Sequence, residues 1–156
     1  FMLRDSDSSS GIGTSVPTLD PERNIALYKA LTNAMENRMI RSAHDCSDGG
    51  LSVSLAESCF GFSGGADIDV TEILLEDDEL DEWGALFGES LGRIIVSVSS
   101  ECVMEFEKRM KGHAVYKLGK TTSSREVKIS AHGKTVLKCD VDSLKAAWKG
   151  TLDRRA

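Results

Sequence analysis

Basic residues are missing from the middle of this chain. From Ser42 to Gly92 there are thirteen Asp and Glu and no Lys or Arg. A nucleic-acid surface requires a clustered basic patch, so the middle of the chain argues against one there. The first 41 residues carry five acids and five bases, and Arg93 to Ala156 carry fourteen bases against seven acids, for a net charge of −6. The stretch "LLEDDELDEW" (Leu74 to Trp83) therefore reads as a solvated, charged loop or helix face.

Cysteine pairs at metal spacing are missing too. The four cysteines, Cys46, Cys59, Cys102 and Cys139, contain no C-x-x-C, which disfavours a zinc site. Reduced, mostly buried thiols and a cytoplasmic location are expected instead. No apolar run approaches the roughly 20 residues of a membrane span, and no signal peptide is visible. No partnership with membrane or nucleic acid is expected. The first residue is Phe rather than Met, so a piece of a longer chain is expected.

The remaining composition is that of a soluble globular domain: 156 residues, 40% hydrophobic and 28% charged. A chain of this size buries roughly 70% of its unfolded surface and needs no staples. Residues 1–19 begin with "FML", a possible strand end, and continue as a polar Ser- and Gly-rich linker. Asp20-Pro21 starts a helix, with Asp capping and Pro in the first turn. Ile25, Leu27, Tyr28, Leu31, Ala34 and Met35 recur at helical spacing, to about Arg38. A strand follows over Ile40 to His44, then a buried helix from Leu51 to Phe60 and an alternating strand over Ala66 to Val70.

A short helix is predicted over Glu79 to Phe87, a strand over Arg93 to Ser99, and a helix capped by Ser100 through Lys111. Val115 to Lys117, Glu126 to Ser130 and Thr135 to Cys139 read as short strands, the last two joined at His132 to Lys134 as a hairpin. Asp140 to Ser143 caps a last helix reaching Leu152. Helices and strands alternate early and strands cluster late, which predicts an α+β fold with a mixed β-sheet covered by helices.

Two segments can carry chemistry. "HDCSDGGL" (His44 to Leu51) sets a glycine pair between a strand and a helix, where backbone N–H groups suit a phosphate or other anion. Plain capping by Ser47 or Asp48 explains the same residues without a ligand. Asp45 and Asp48 would repel a bare phosphate, but could accept ribose hydroxyls or hold a magnesium ion that bridges to phosphate. His44 is either a base or a structural hydrogen-bonder. In "LFGESLGRIIVSV" two glycines flank Glu89, Ser90 and Leu91 ahead of a strand, with Arg93 as a forked donor or an ordinary surface residue.

Together, "HD-x-SDGGL", "FGES-x-GR" and "KLGKTT" resemble the C-terminal domain of the aminoimidazole ribonucleotide (AIR) synthetase superfamily. More narrowly, they resemble the second such domain in the synthetase component of the phosphoribosylformylglycinamidine synthase family, of the small, multi-subunit type. The likeness extends through "AESCFGFSGGADIDV" and "DVDSLKAAWKGTL". It implies residues 20–156 as the domain and 1–19 as a linker with the end of a preceding domain.

It also implies an ATP- and Mg2+-using ligase that forms an amidine from formylglycinamide ribonucleotide with glutamine-derived ammonia. Its partners would be the ATP-binding N-terminal domain of the same chain, a separate glutaminase subunit and a small bridging subunit. On this resemblance Asp45, Ser47, Asp48, Gly49 and Gly50 lie on the phosphate side of a nucleotide cleft, lined further by His44, Glu89, Ser90, Gly92 and Arg93. No catalytic or metal-ligating residue is carried over, since the family's catalytic histidine and most nucleotide and magnesium contacts lie in the N-terminal domains.

The "GES-x-GR" wording matches the family's second copy, whose cleft holds a structural nucleotide. "SSSGIG" stands where relatives have Leu-Gly-Gly-Ser, which removes the basis for phosphate contacts from Gly11 and Gly13. The alternatives are a non-catalytic structural or assembly module around an auxiliary nucleotide site, or a sister enzyme such as a selenophosphate synthetase.

Overall fold

The computed structural model describes residues 20–76 and 80–150. The expected strand end at "FML", the linker with Gly11 and Gly13, Asp77 to Glu79 and the last helical turn to Leu152 lie outside them. In chain order the elements are α1 (Pro21–Glu36), β1 (Ile40–Asp45), α2 (Gly50–Cys59), β2 (Gly65–Asp69), α3 (Thr71–Glu76) and α4 (Glu82–Phe87). Then come β3 (Ile94–Val98), a 3₁₀ turn (Ser100–Cys102), α5 (Val103–Arg109), β4 (Gly119–Thr122), β5 (Glu126–Ala131), β6 (Lys134–Asp140) and α6 (Val141–Gly150).

These form a four-stranded mixed sheet in the order β4-β2-β5-β6 and a separate antiparallel ribbon, β1-β3. Among the described strands only the β2–β5 pairing is parallel. The α+β class with a mixed sheet is as expected, and the ribbon is an addition to it. β5 alternates buried and half-buried residues, so Val127, Ile129 and Ala131 share one face. That face meets Leu51, Leu55 and Cys59 of α2, Leu86 of α4 and Val141 of α6 in the larger core. Full burial of a Leu, Ile or Val there contributes about 1.5–3 kcal/mol. A smaller core of Ala34, Met39, Phe106 and Met110 joins α1 to α5 and to the ribbon's Ile40, Val96 and Val98.

Local chemistry starts several elements as predicted. Asp20 Oδ1 accepts the Arg23 N–H at 3.1 Å, and Pro21 opens α1. Asp140 Oδ1 accepts the Ser143 N–H at 2.8 Å and starts α6. His132 and Gly133 both take positive φ (49° and 73°), the twist-matched two-residue hairpin between β5 and β6.

Four expectations are corrected. Val115 to Lys117 is not a strand; β4 starts at Gly119, whose φ of 154° lets its backbone lie against Asp67 of β2. A Cβ at Gly119 would sit 2.1 Å from Asp67 O, so glycine is what permits that edge pairing. Ser100 does not cap α5 but opens the 3₁₀ turn before it. Inside "LLEDDELDEW", Leu74 is buried on α3, because the Asp69 carboxylate accepts the Thr71 N–H at 2.8 Å and begins a helical turn there. α4 starts at Glu82, capped by Asp81 Oδ1 accepting the Gly84 N–H at 2.7 Å.

The end of α3 also holds a half-buried phenol. Tyr116 donates to Glu76 Oε2, and burial first, then that carboxylate, push its pKa up to about 12. A folded pKa above the unfolded value of about 10 stabilises the fold below pH 10, and this contribution is lost as pH rises through 12. Tyrosinate absorbance should show a phase near pH 12 that Tyr116→Phe removes. Persistence of that phase in the variant would show that Tyr116 is not its source.

Candidate functional site

The two glycine-bearing turns meet. β1 and β3 pair Asp45 with Ile94, so the segment leaving β1 and the segment entering β3 lie side by side. The Cys46 N–H donates to Arg93 O at 2.9 Å and fixes that register one residue further. Gly49 takes φ +80° and Gly50 φ +66°, which bend the chain sharply into α2. A Cβ on Gly50 would lie 2.7 Å from Gly88 O, so the start of α2 rests directly on the end of α4.

Neither Ser47 nor Asp48 caps α2 with its side chain. Gly49 holds the cap position without a side-chain bond, and the Gly50 N–H donates to Ser47 O at 3.0 Å. The acceptor comes from the other turn: the Gly49 N–H donates to Glu89 Oε1 at 2.9 Å. A carboxylate at a helix N-terminus is favoured by the partial positive charge there. Glu89→Ala should therefore cost about 1 kcal/mol in denaturant unfolding, as loss of an N-cap does. Ser47→Ala and Asp48→Ala should stay within about 0.5 kcal/mol. The reverse order would return the capping role to the local residues.

Arg93 faces inward. Its guanidinium donates to Gly88 O at 2.9 Å and to Ala85 O at 2.8 Å, closing the C-terminal carbonyls of α4. Gly92 takes φ +81°, and Asn24 of α1 covers it; a Cβ would meet Asn24 Nδ2 at 2.5 Å. Ser90, like Ser47, is exposed.

His44 is held on both sides. Its Nδ1 lies 2.7 Å from Asp45 O and its Nε2 3.2 Å from Glu57 Oε2. Asp45 O also accepts from Ser54 Oγ at 2.9 Å, and the same hydroxyl lies 3.0 Å from Gly50 O. Ser54, 1% exposed, thus stitches the end of β1 to the first turn of α2. Cys46 is buried; desolvation pushes its thiol up, opposed by the charge of Arg93. That is the setting of an inert small side chain, not a nucleophile.

All ten expected residues therefore cluster on or beside the two turns. Sequence reasoning missed Ser54, Glu57 and Asn24. Ser54 left a trace, a hydroxyl four residues after Gly50 in a mostly apolar helix; Glu57 and Asn24 left none. Among the described residues, no three His, Cys, Asp or Glu side chains converge as a metal-ligand set. No described helix is long and apolar enough to cross a membrane.

Beside the turns an open groove of about 290 Å³ runs between α1 and the ribbon, lined by Leu31, Met35, Ala43, His44, Asp45 and Ile94.

A strand–glycine–helix turn braced by a second glycine turn, on a mixed sheet with an attached ribbon, defines a class. Residues 2–132 match the family described as AIR synthase related protein, C-terminal domain, and the chain belongs to that family.

Within it, the chain is 37% identical over 139 residues to phosphoribosylformylglycinamidine synthase subunit PurL of Carboxydothermus hydrogenoformans, covering 88% of this chain and 18% of that protein. It is 40% identical over 124 residues to the PurL subunit of Lactobacillus helveticus, covering 80% of this chain and 15% of that one. Among solved structures, Thermotoga maritima PurL complexed with FGAR superposes with a TM-score of 0.74 at 18% identity, over 91% of this chain and 23% of that chain. The PurLQS structure from the same organism gives 0.73 at 20% identity, over 83% of this chain and 23% of that chain. The chain thus spans less than a fifth of the length of these curated relatives.

Proposed function

We propose that this chain is the C-terminal domain of an ATP-dependent amidine-forming ligase that converts formylglycinamide ribonucleotide, ATP and glutamine-derived ammonia to formylglycinamidine ribonucleotide. The observation that carries this reading is the junction of the two motif turns, Glu89 on the Gly49 N–H, within a chain 37–40% identical to PurL subunits. T. maritima PurL has been solved with ATP and with ADP, which supports a nucleotide as ligand of the parent enzyme.

On this reading Asp45, Ser47, Asp48, Gly49 and Gly50 form the nucleotide side of a cleft. His44, Glu89, Ser90, Gly92 and Arg93 brace or line it. The opposite wall is the ATP-binding N-terminal domain of the same polypeptide, which would also hold Mg2+. Residues 20–156 are the domain, and 1–19 are the linker and the end of the preceding domain. A glutaminase subunit and a small bridging subunit complete a cytoplasmic complex; the PurLQS assembly of T. maritima supports subunit partners.

One observation favours a second reading, a cleft around an auxiliary nucleotide that is never turned over. Glu89 and Arg93 are spent on backbone groups of this domain. The test is Asp48→Ala in the full-length synthase, with amidine formation, bound nucleotide and melting temperature measured together. Asp48 is exposed, so stability should move by no more than about 0.5 kcal/mol. Loss of turnover with nucleotide retained indicates a reacting cleft, and loss of nucleotide with turnover retained indicates the auxiliary one. Wild-type values for both defeat the nucleotide-cleft reading.

A further inference from the structure

We propose that the groove between α1 and the β1–β3 ribbon receives the nucleoside end of the nucleotide, its ring on the apolar floor and its ribose hydroxyls on Asp45. This rests on the nucleotide reading above and says which part of that ligand this domain touches.

Four donors at the turns are already committed to protein acceptors. The Gly49 N–H goes to Glu89, the Gly50 N–H to Ser47 O, and two Arg93 nitrogens to carbonyls. Asp45, Asp48, Glu57 and Glu89 stand on or beside the turns, and Arg93 is the first cation after Arg41 in the sequence. A phosphate seated there would meet the like charge of these carboxylates, which raises its energy at short range.

The groove offers the complementary chemistry. Leu31, Met35, Ala43 and Ile94 supply an apolar floor, and His44 and Asp45 are the polar groups among the lining residues. Its volume of about 290 Å³ lies at the small end of ligand pockets, enough for a base and sugar but not for a triphosphate tail as well.

Asp45 is set up as an acceptor. His44 Nδ1 and Ser54 Oγ clamp its backbone carbonyl, at 2.7 and 2.9 Å. Its carboxylate is 73% exposed, with His44 Nδ1 3.8 Å away. A carboxylate accepts several hydrogen bonds, and a ribose diol offers two donors at matching separation, the chemistry an acidic residue uses in dinucleotide-binding folds.

The test is a two-dimensional amide NMR titration of the 156-residue chain with adenosine and, separately, with inorganic tripolyphosphate. Millimolar adenosine should shift the amides of Ala43, His44, Asp45 and Ile94, and tripolyphosphate should leave them in place. Asp45→Asn, and 2′,3′-dideoxyadenosine in place of adenosine, should each weaken binding about fivefold. Ala43→Tyr, at an exposed strand position that tolerates substitution, should fill the groove and abolish the shifts while the rest of the spectrum stays dispersed.

Three results overturn the proposal: no adenosine shifts, adenosine shifts indifferent to all three changes, or tripolyphosphate perturbing the Asp45–Gly50 turn instead. Each leaves the ligase reading to be judged by the Asp48→Ala synthase.

Discussion

Gly50→Ala should be among the most damaging single-methyl additions in this chain, lowering stability by at least about 3 kcal/mol in urea unfolding. Two costs combine. Gly50 has φ +66°, where an L-residue pays about 1–2 kcal/mol for its Cβ. That Cβ would also lie 2.7 Å from Gly88 O, 2.8 Å from Phe87 C and 3.0 Å from Leu86 O. These are backbone atoms at the end of α4, so no side chain can rotate away; α2 and α4 must part.

Two neighbours calibrate the effect. Gly133, at φ +73° with nothing within 4 Å of a Cβ, should show the conformational cost alone. Gly49 would place its Cβ 2.4 Å from Val53 Cγ2, a half-buried side chain with some room to move, and should fall between. If Gly50→Ala costs no more than Gly133→Ala, α2 does not rest on the end of α4 in solution.

The same contacts explain how much of the fold was legible in the sequence. Elements whose start is local chemistry were readable: Asp20-Pro21 for α1, Asp140 for α6 and the His132-Gly133 hairpin. β5 was readable because its alternation is clean. β4 was not, because Gly119–Thr122 has no apolar alternation and exists through its pairing with Gly65–Ile68. The apolar Val115 to Lys117 run beside it drew the expectation instead. α3 was hidden by the charges around it, although Leu74 is buried in the core and Ile73 packs against it.

The site divides in the same way. Glycine pairs and flanking acids marked both turns, so every expected residue falls in or beside them. What the residues do to one another was not readable. A cap is ordinarily sought within three residues, and Glu89 reaches Gly49 across forty positions of sequence. Arg93 read as either a forked donor for an anion or an ordinary surface residue, whereas its donors meet two carbonyls five and eight residues earlier. Motif wording identifies residues that belong together; whether they serve a ligand or each other depends on register, and here the β1–β3 pairing sets it.

Arg93 supplies the second large effect. Arg93→Ala removes two charge-assisted hydrogen bonds to half-buried carbonyls and leaves the end of α4 open, just where Gly50 presses against it. Hydrogen bonds involving a charged group contribute about 1.5–3 kcal/mol each when well buried. Half-exposure reduces that, and a total loss of about 2–3 kcal/mol is expected by denaturant unfolding. Arg93→Lys should recover less than half, because one ammonium on a flexible stem cannot span the Gly88 and Ala85 oxygens as the planar fork does.

The readout that separates bracing from ligand contact is the Glu89 bond. If Arg93 holds the turn, Arg93→Ala should also speed hydrogen exchange at the Gly49 amide, since a loosened 85–93 segment no longer presents Glu89 to it. An Arg93→Ala chain with wild-type stability and an equally protected Gly49 amide would mean that the guanidinium is idle in the domain. Its place in the "GES-x-GR" turn would then be explained by a ligand alone.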